Sequence, residues 1–168
     1  MPPISHTRAL RDYQLLDNVW ATHGVVFLSG TQALVRLMWM QRQLDERQQW
    51  NTRGFISGYR GSPLGMVDQV IWKQDEKFKN AGIEFVPAIN EELGATQVLG
   101  TQRVESDPER TVDGVFGLWY GKGPGVDRAG DALKHGNAYG SSRRIWLFYV
   151  SGHNFIRNSV NQFRTIGV

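Results

Sequence analysis

The feature that most constrains this chain is a regular alternation. Short apolar runs, several closed by glycine, are separated by longer stretches with helical periodicity. The runs are Gly24–Ser29, Gly54–Ser57, Ile83–Val86, Val112–Tyr120 and Ile145–Val150. In residues 31–49, Leu34, Leu37, Met38, Gln41 and Leu44 share one helical face, with Arg42, Asp45, Glu46 and Arg47 turned toward water. Comparable patterns predict helices over 66–80, with Val67, Val70, Ile71 and Phe78 inward, from Asn90 to about Arg103, and from Val126 to about Tyr139. Residues 121–125 read as a loop. Strands that alternate with helices of this length form βαβ units, because parallel strands need long crossovers. The expected fold class is therefore α/β, a parallel sheet flanked by helices. Ligands of such sheets sit outside the carboxyl ends of the strands, which directs attention to loops 29–31, 58–65, 87–92, 119–125 and 151–155.

At 168 residues the chain can bury a core without metal or disulfide staples. It contains no cysteine. Disulfides, a thiol nucleophile, cysteine zinc sites and an iron–sulfur cluster held by this chain are thereby excluded. No apolar run approaches the roughly 18 residues of a membrane-spanning helix, and the N-terminus lacks a secretory-signal pattern. A cytoplasmic protein is expected, without membrane association. The net charge is +3, and residues 144–168 hold Arg144, Arg157 and Arg164 with no acid, so residues 1–143 are balanced. A charge excess confined to one tail is not the basic face of a nucleic-acid binder. His6, His23, His135 and His153 fall at no metal-ligand spacing, so no metal is assigned to this chain. His135, among Ala132, Leu133 and Ala138, reads as a partly buried structural histidine.

Three segments could carry chemistry. In 58–65, Gly58, Gly61 and Gly65 permit tight turning, and Ser62 stands before Pro63. Ser62 as a helix cap explains this without a ligand. Alternatively, Ser62 and neighbouring amides hold an anionic group. In Val86–Leu93, Asn90 caps a helix whose first residues are Glu91 and Glu92, where acids suit the helix dipole. The functional alternative points Glu91 into the cleft as a catalytic carboxylate. The third segment, Trp119–Arg128, is glycine-rich but matches neither G-x-G-x-x-G nor G-x-x-x-x-G-K-[ST], and Pro124 removes an amide that a phosphate cradle would use. Lys122 is either an exposed loop lysine or a fixed positive charge in the cleft.

Taken in order, Phe27–Arg36, Gly54–Gly65, Asn90–Thr96 and Trp119–Arg128, with Lys134 and His135, resemble the N-terminal part of the indolepyruvate ferredoxin oxidoreductases. These belong to the thiamine-diphosphate-dependent 2-oxoacid:ferredoxin oxidoreductases. The resemblance covers roughly residues 24–143. It implies a PYR-type domain, the one that binds the aminopyrimidine of thiamine diphosphate. It also implies oxidative decarboxylation of arylpyruvates to acyl-CoA, with electrons passing to ferredoxin. Glu91 inherits the carboxylate that hydrogen-bonds N1′ of the pyrimidine. Ser62, with Gly61, inherits a contact to the substrate carboxylate. Lys122 and Gly123 inherit the cofactor-lining loop. Such a carboxylate needs a dry site that fixes its direction and ionisation.

The expected organisation is an N-terminal arm over 1–22, a partial PYR-like domain over 23–143 and a divergent basic tail over 144–168. The resemblance implies further domains that hold the diphosphate, Mg2+ and cysteine-ligated iron–sulfur clusters. The tail lacks the expected glycine-aspartate-histidine segment, which suggests a truncated product with an out-of-frame end. The chain is then inactive alone. Its partners would be a diphosphate-binding domain or subunit and, for the whole enzyme, ferredoxin and CoA, in an oligomer whose apolar partner face this chain would expose. The competing readings are a small nucleotide-binding α/β module using loop 121–125, and a non-functional remnant.

Overall fold

The computed structural model describes residues 13–62, 64, 66–140 and, for the backbone, 147–152. Helix α1 (Asp17–Trp20) leads through an extended segment to α2 (Gly30–Arg47), β1 (Thr52–Gly58), α3 (Met66–Trp72) and α4 (Asp75–Asn80). Then follow β2 (Ile83–Phe85), α5 (Glu91–Thr101), a short 3-10 turn at Val104–Ser106, β3 (Gly114–Lys122), α6 (Gly123–Arg128), α7 (Gly130–Tyr139) and β4 (Leu147–Gly152). The four strands form one sheet in the order β2-β1-β3-β4, and every neighbouring pair is parallel. The expected α/β class is the observed one.

The strand order positions the site. From β1 the chain steps outward to β2, then returns past β1 to β3 and continues to β4. The direction of winding thus reverses between β1 and β3. At such a switch point the two following loops diverge and leave a crevice beyond the carboxyl ends of the strands. Alternate residues of β1 and β3 face two separate cores, as strand geometry requires. Ile56, Phe116, Leu118 and Tyr120 pack with Val35, Met38, Val67, Ile71 and Phe78 from α2, α3 and α4. Phe55 and Trp119 pack on the other face with Ala95 and Val98 of α5 and Ala132 of α7.

Several expectations need correction. Residues 24–29 form no strand; they run extended and unpaired into the Ser29 cap of α2, with Val25 and Phe27 87% and 88% exposed. Both edges of β1 are already taken by β2 and β3, so this run finds no inner position in the sheet. Ser29 instead closes a capping box with Gln32. The buried face of α2 carries Val35, Met38, Arg42 and Asp45, and Leu44 is exposed. Arg42 and Asp45, expected in water, are buried because each finds partners: Arg42 Nε donates to the Ala81 carbonyl at 3.2 Å, and Asp45 accepts from Gln41 Nε2 at 2.7 Å and from the Thr52 hydroxyl.

The single helix expected over 66–80 is two, interrupted at Lys73 and Gln74. The helix expected from Val126 begins at Gly123 and is broken at Ala129, which ends α6 and starts α7. The loop expected at 121–125 is the end of β3 and the first turn of α6, with Pro124 where its missing amide costs nothing. Within the expected divergent tail, residues 147–152 pair with Gly117–Lys122 of β3. The remainder of that tail, with His153, and residues 1–12, with His6, lie outside the described residues. Among the described residues, no helix is long and apolar enough to cross a membrane.

Gly54 sits where β1 runs between β2 and β3, and a Cβ built there meets the Phe116 ring at 2.7 Å and Ile83 Cγ1 at 2.9 Å. Gly54→Ala should therefore destabilise the chain by about 1–3 kcal/mol through overpacking, measured by urea denaturation; unchanged stability would contradict this packing.

Candidate functional site

At the β1/β3 switch point, Glu91 is the first residue of α5. Asn90 stops the helix by accepting from the Leu93 amide through Oδ1 at 2.8 Å. This leaves Glu91 at the mouth of the crevice, but not in water: it is only 4% exposed. Two features draw it inward. Trp119 Nε1 donates to the Glu91 carbonyl at 3.0 Å, tying the helix start to β3. Gly121 and Gly125 lack side chains where the Glu91 side chain lies: a Cβ on Gly125 would stand 2.3 Å from Glu91 Cγ, and one on Gly121 3.2 Å from it. Gly94, one turn along α5, likewise admits close approach to the Cα of Gly58. The glycines of the Trp119–Arg128 segment thus make room for a carboxylate.

Glu91 Oε1 is buried without a hydrogen-bond partner. Lys122 Nζ stands 3.9 Å from it, beyond hydrogen-bond reach. The Lys122 side chain is 41% exposed, and its ammonium lies 5.7 Å from the centre of the Tyr59 ring. Tyr59 in turn covers Gly61, where a Cβ would meet the ring at 2.4 Å. Glu91, Lys122, Tyr59 and the Gly61 turn therefore form one continuous line across the crevice. Ser62 is buried and its Oγ accepts from the Leu64 amide at 3.2 Å, so this hydroxyl braces the turn. Gly123 begins α6 directly after Lys122.

A second polar cluster, absent from the sequence-based expectations, lies on the other face of the sheet. The Tyr120 hydroxyl donates to Asp68 Oδ1, and both residues are buried. Arg60 Nε stands 3.6 Å from Asp68 Oδ2, and its guanidinium carbon lies 4.1 Å from the centre of the Trp72 ring. Burial raises the Asp68 carboxyl above its ordinary value, opposed first by the Tyr120 hydrogen bond and then by the Arg60 charge. Burial, with the same bond, also pushes the Tyr120 phenol up. Two signals pointed here. Asp68 shares the inward face of α3 with Val67 and Ile71, and a tyrosine in a buried strand needs a partner for its hydroxyl.

His135 is exposed rather than partly buried, because α7 turns that face outward; its Nδ1 lies 3.4 Å from Asp131 Oδ2, and its ring stacks on Tyr139. Among the described residues, no three acidic or histidine side chains gather in a metal-binding group. Comparison with protein-family models, with characterised proteins and with solved structures finds no match to this chain.

Two outcomes follow. Gly125→Ala should drive the Glu91 side chain from its niche, so the Glu91 carboxylate carbon resonance moves in the 13C NMR spectrum at fixed pH; an unmoved resonance would contradict the packing. A group whose folded-state pKa is raised contributes most below its unfolded value of 3.8 and loses that contribution as pH rises through the folded value. The Tm of Asp68→Asn relative to the parent should therefore be more favourable at about pH 7 than at about pH 4, checked by thermal scans; a difference that falls with pH would refute a buried, raised Asp68.

Proposed function

We propose that this chain supplies the pyrimidine-activating side of a thiamine diphosphate site in a 2-oxoacid:ferredoxin oxidoreductase of the indolepyruvate type, on a PYR-type fold. The observation that carries this reading is the Glu91 carboxylate: buried at a parallel-sheet switch point, with Oε1 lacking a hydrogen-bond partner. Leaving a buried acceptor unsatisfied is costly, and an aminopyrimidine nitrogen that carries a proton would satisfy it. Two of the segments that resemble the family, Asn90–Thr96 and Trp119–Arg128, meet at this carboxylate. Asn90 sets it at the helix start, Trp119 fixes its backbone, and Gly121 and Gly125 admit its side chain.

The donor set fits the group. Glu91 would hold N1′ of the pyrimidine, with the Lys122 ammonium 3.9 Å from its carboxylate at the edge of the site. When bound, thiamine diphosphate supplies the carbon centre that stabilises the charge left on a 2-oxoacid as carbon dioxide departs. The role of this chain would fall to Glu91, whose carboxylate would accept a hydrogen bond from N1′ and so hold a proton there, the contact through which the ring would be readied for acid–base chemistry. The diphosphate, Mg2+ and the electron carriers belong to a partner domain or subunit. Ile89 and Leu93, 81% and 44% exposed on either side of Glu91, offer that partner an apolar seat. Covering the crevice would also exclude water and strengthen the Glu91 contact.

In an enzyme assembled from this chain and the diphosphate-binding partner, Glu91→Ala should slow arylpyruvate-dependent ferredoxin reduction by roughly 10²–10⁴-fold. A loss below about tenfold would remove Glu91 from this role.

A further inference from the structure

Arg60 follows Tyr59 in the turn after β1, and by strand alternation it belongs to the α3 side of the crevice rim. Two contacts constrain its guanidinium. The Trp72 ring lies under it, 4.1 Å from the guanidinium carbon to the ring centre. Asp68 Oδ2, 3.6 Å from Nε, fixes the inner edge. Asp68 is itself held in place by packing: it is 1% exposed and takes the Tyr120 hydroxyl on its other oxygen. Its Oδ2 has no hydrogen-bond partner, so the Arg60 charge is what offsets burial of that atom. The Arg60 side chain is nevertheless 64% exposed. Among the described residues, nothing takes the Nη1 and Nη2 hydrogens, which form the outward edge of the fork.

A largely exposed guanidinium, stacked on an indole and set beside a fixed carboxylate, is a preorganised bidentate donor to a planar anion. We infer that Arg60, clamped by Trp72 and positioned by Asp68, is a carboxylate-binding residue for an organic acid that enters the crevice. Charge selects a carboxylate over a phosphate. Asp68 lies against Arg60, and on the other face of the sheet Lys122 is paired with Glu91. A monovalent carboxylate matches the single charge of Arg60, whereas a divalent phosphate would carry a second charge against Asp68 with the same partner. Ser62, two residues on, spends its acceptor on the Leu64 amide, so the strong recognition element of this turn is Arg60. That the acid is the 2-oxoacid substrate rests on the function proposed above; the binding site does not.

The test uses the full chain labelled with 15N, with the Arg60 Nε–Hε resonance identified by its loss in Arg60→Met. Phenylpyruvate should shift this resonance saturably, its methyl ester should not, and inorganic phosphate should bind more weakly. Arg60→Lys keeps the charge but loses the planar fork, and should weaken phenylpyruvate about tenfold. Trp72→Leu, with the fold verified by circular dichroism, should act in the same direction. An unmoved resonance, an equal response to the ester, tighter binding of phosphate, or undiminished binding by Arg60→Lys would each overturn the assignment. If phenylpyruvate binds at Arg60 while Glu91→Ala leaves turnover of the assembled enzyme intact, the carboxylate site stands and the proposed function falls.

Discussion

The structure depends on the bond from Trp119 to the start of α5. Trp119 Nε1 donates to the carbonyl of Glu91, so the central strand β3 holds the first residue of a helix that arrives from the far edge of the sheet. The bond is buried, where a hydrogen bond is strong and its loss costly. It sets the depth at which α5 begins. The glycines at 121 and 125 then leave the only kind of wall, bare backbone, against which a glutamate side chain can lie so closely. A buried carboxylate at a switch point is thus a consequence of how two βα connections meet, and not of a local motif.

The two faces of the crevice solve the same problem with different means. On the α5 side, Glu91 keeps one oxygen without a hydrogen bond and has a partly exposed lysine nearby. On the α3 side, Asp68 takes the Tyr120 hydroxyl on Oδ1, while its buried Oδ2, also without a hydrogen bond, faces the charge of Arg60. One acid is poised toward the crevice; the other is occupied in holding a cation at its rim. The turn after β1 joins them, because Tyr59 leans toward Lys122 while Arg60 leans toward Trp72. A ligand with an anionic end and a polar ring nitrogen region beside it would meet complementary groups on both sides.

Much of this was legible in the sequence, for identifiable reasons. The βαβ alternation gave the parallel sheet because crossovers leave a strong periodic trace. Asn90 before Glu91 marked a helix start, and the cap forms as expected. The burial of Arg42 and Asp45 was not legible, because it depends on the Ala81 carbonyl and the Thr52 hydroxyl, which come from other elements. The apolar run at 24–29 looked like a strand since pattern carries no information about free sheet edges; β1 had none to offer. The glycines at 121, 123 and 125 suggested a loop, but β3 runs through Lys122 and α6 starts immediately after it. The Asp68–Tyr120–Arg60 cluster draws on three elements: an inward acid on α3 and a buried tyrosine were visible as single signals, but their pairing depends on the tertiary fold.

The central claim is that the Glu91 carboxylate receives a proton-bearing pyrimidine nitrogen. The most direct measurement is the 15N chemical shift of N1′ in labelled thiamine diphosphate bound to the enzyme assembled with this chain. With the parent chain, N1′ should report a strongly hydrogen-bonded, proton-carrying nitrogen, and with Glu91→Ala it should return to the position of the free cofactor. An N1′ signal that is the same in both would contradict the account.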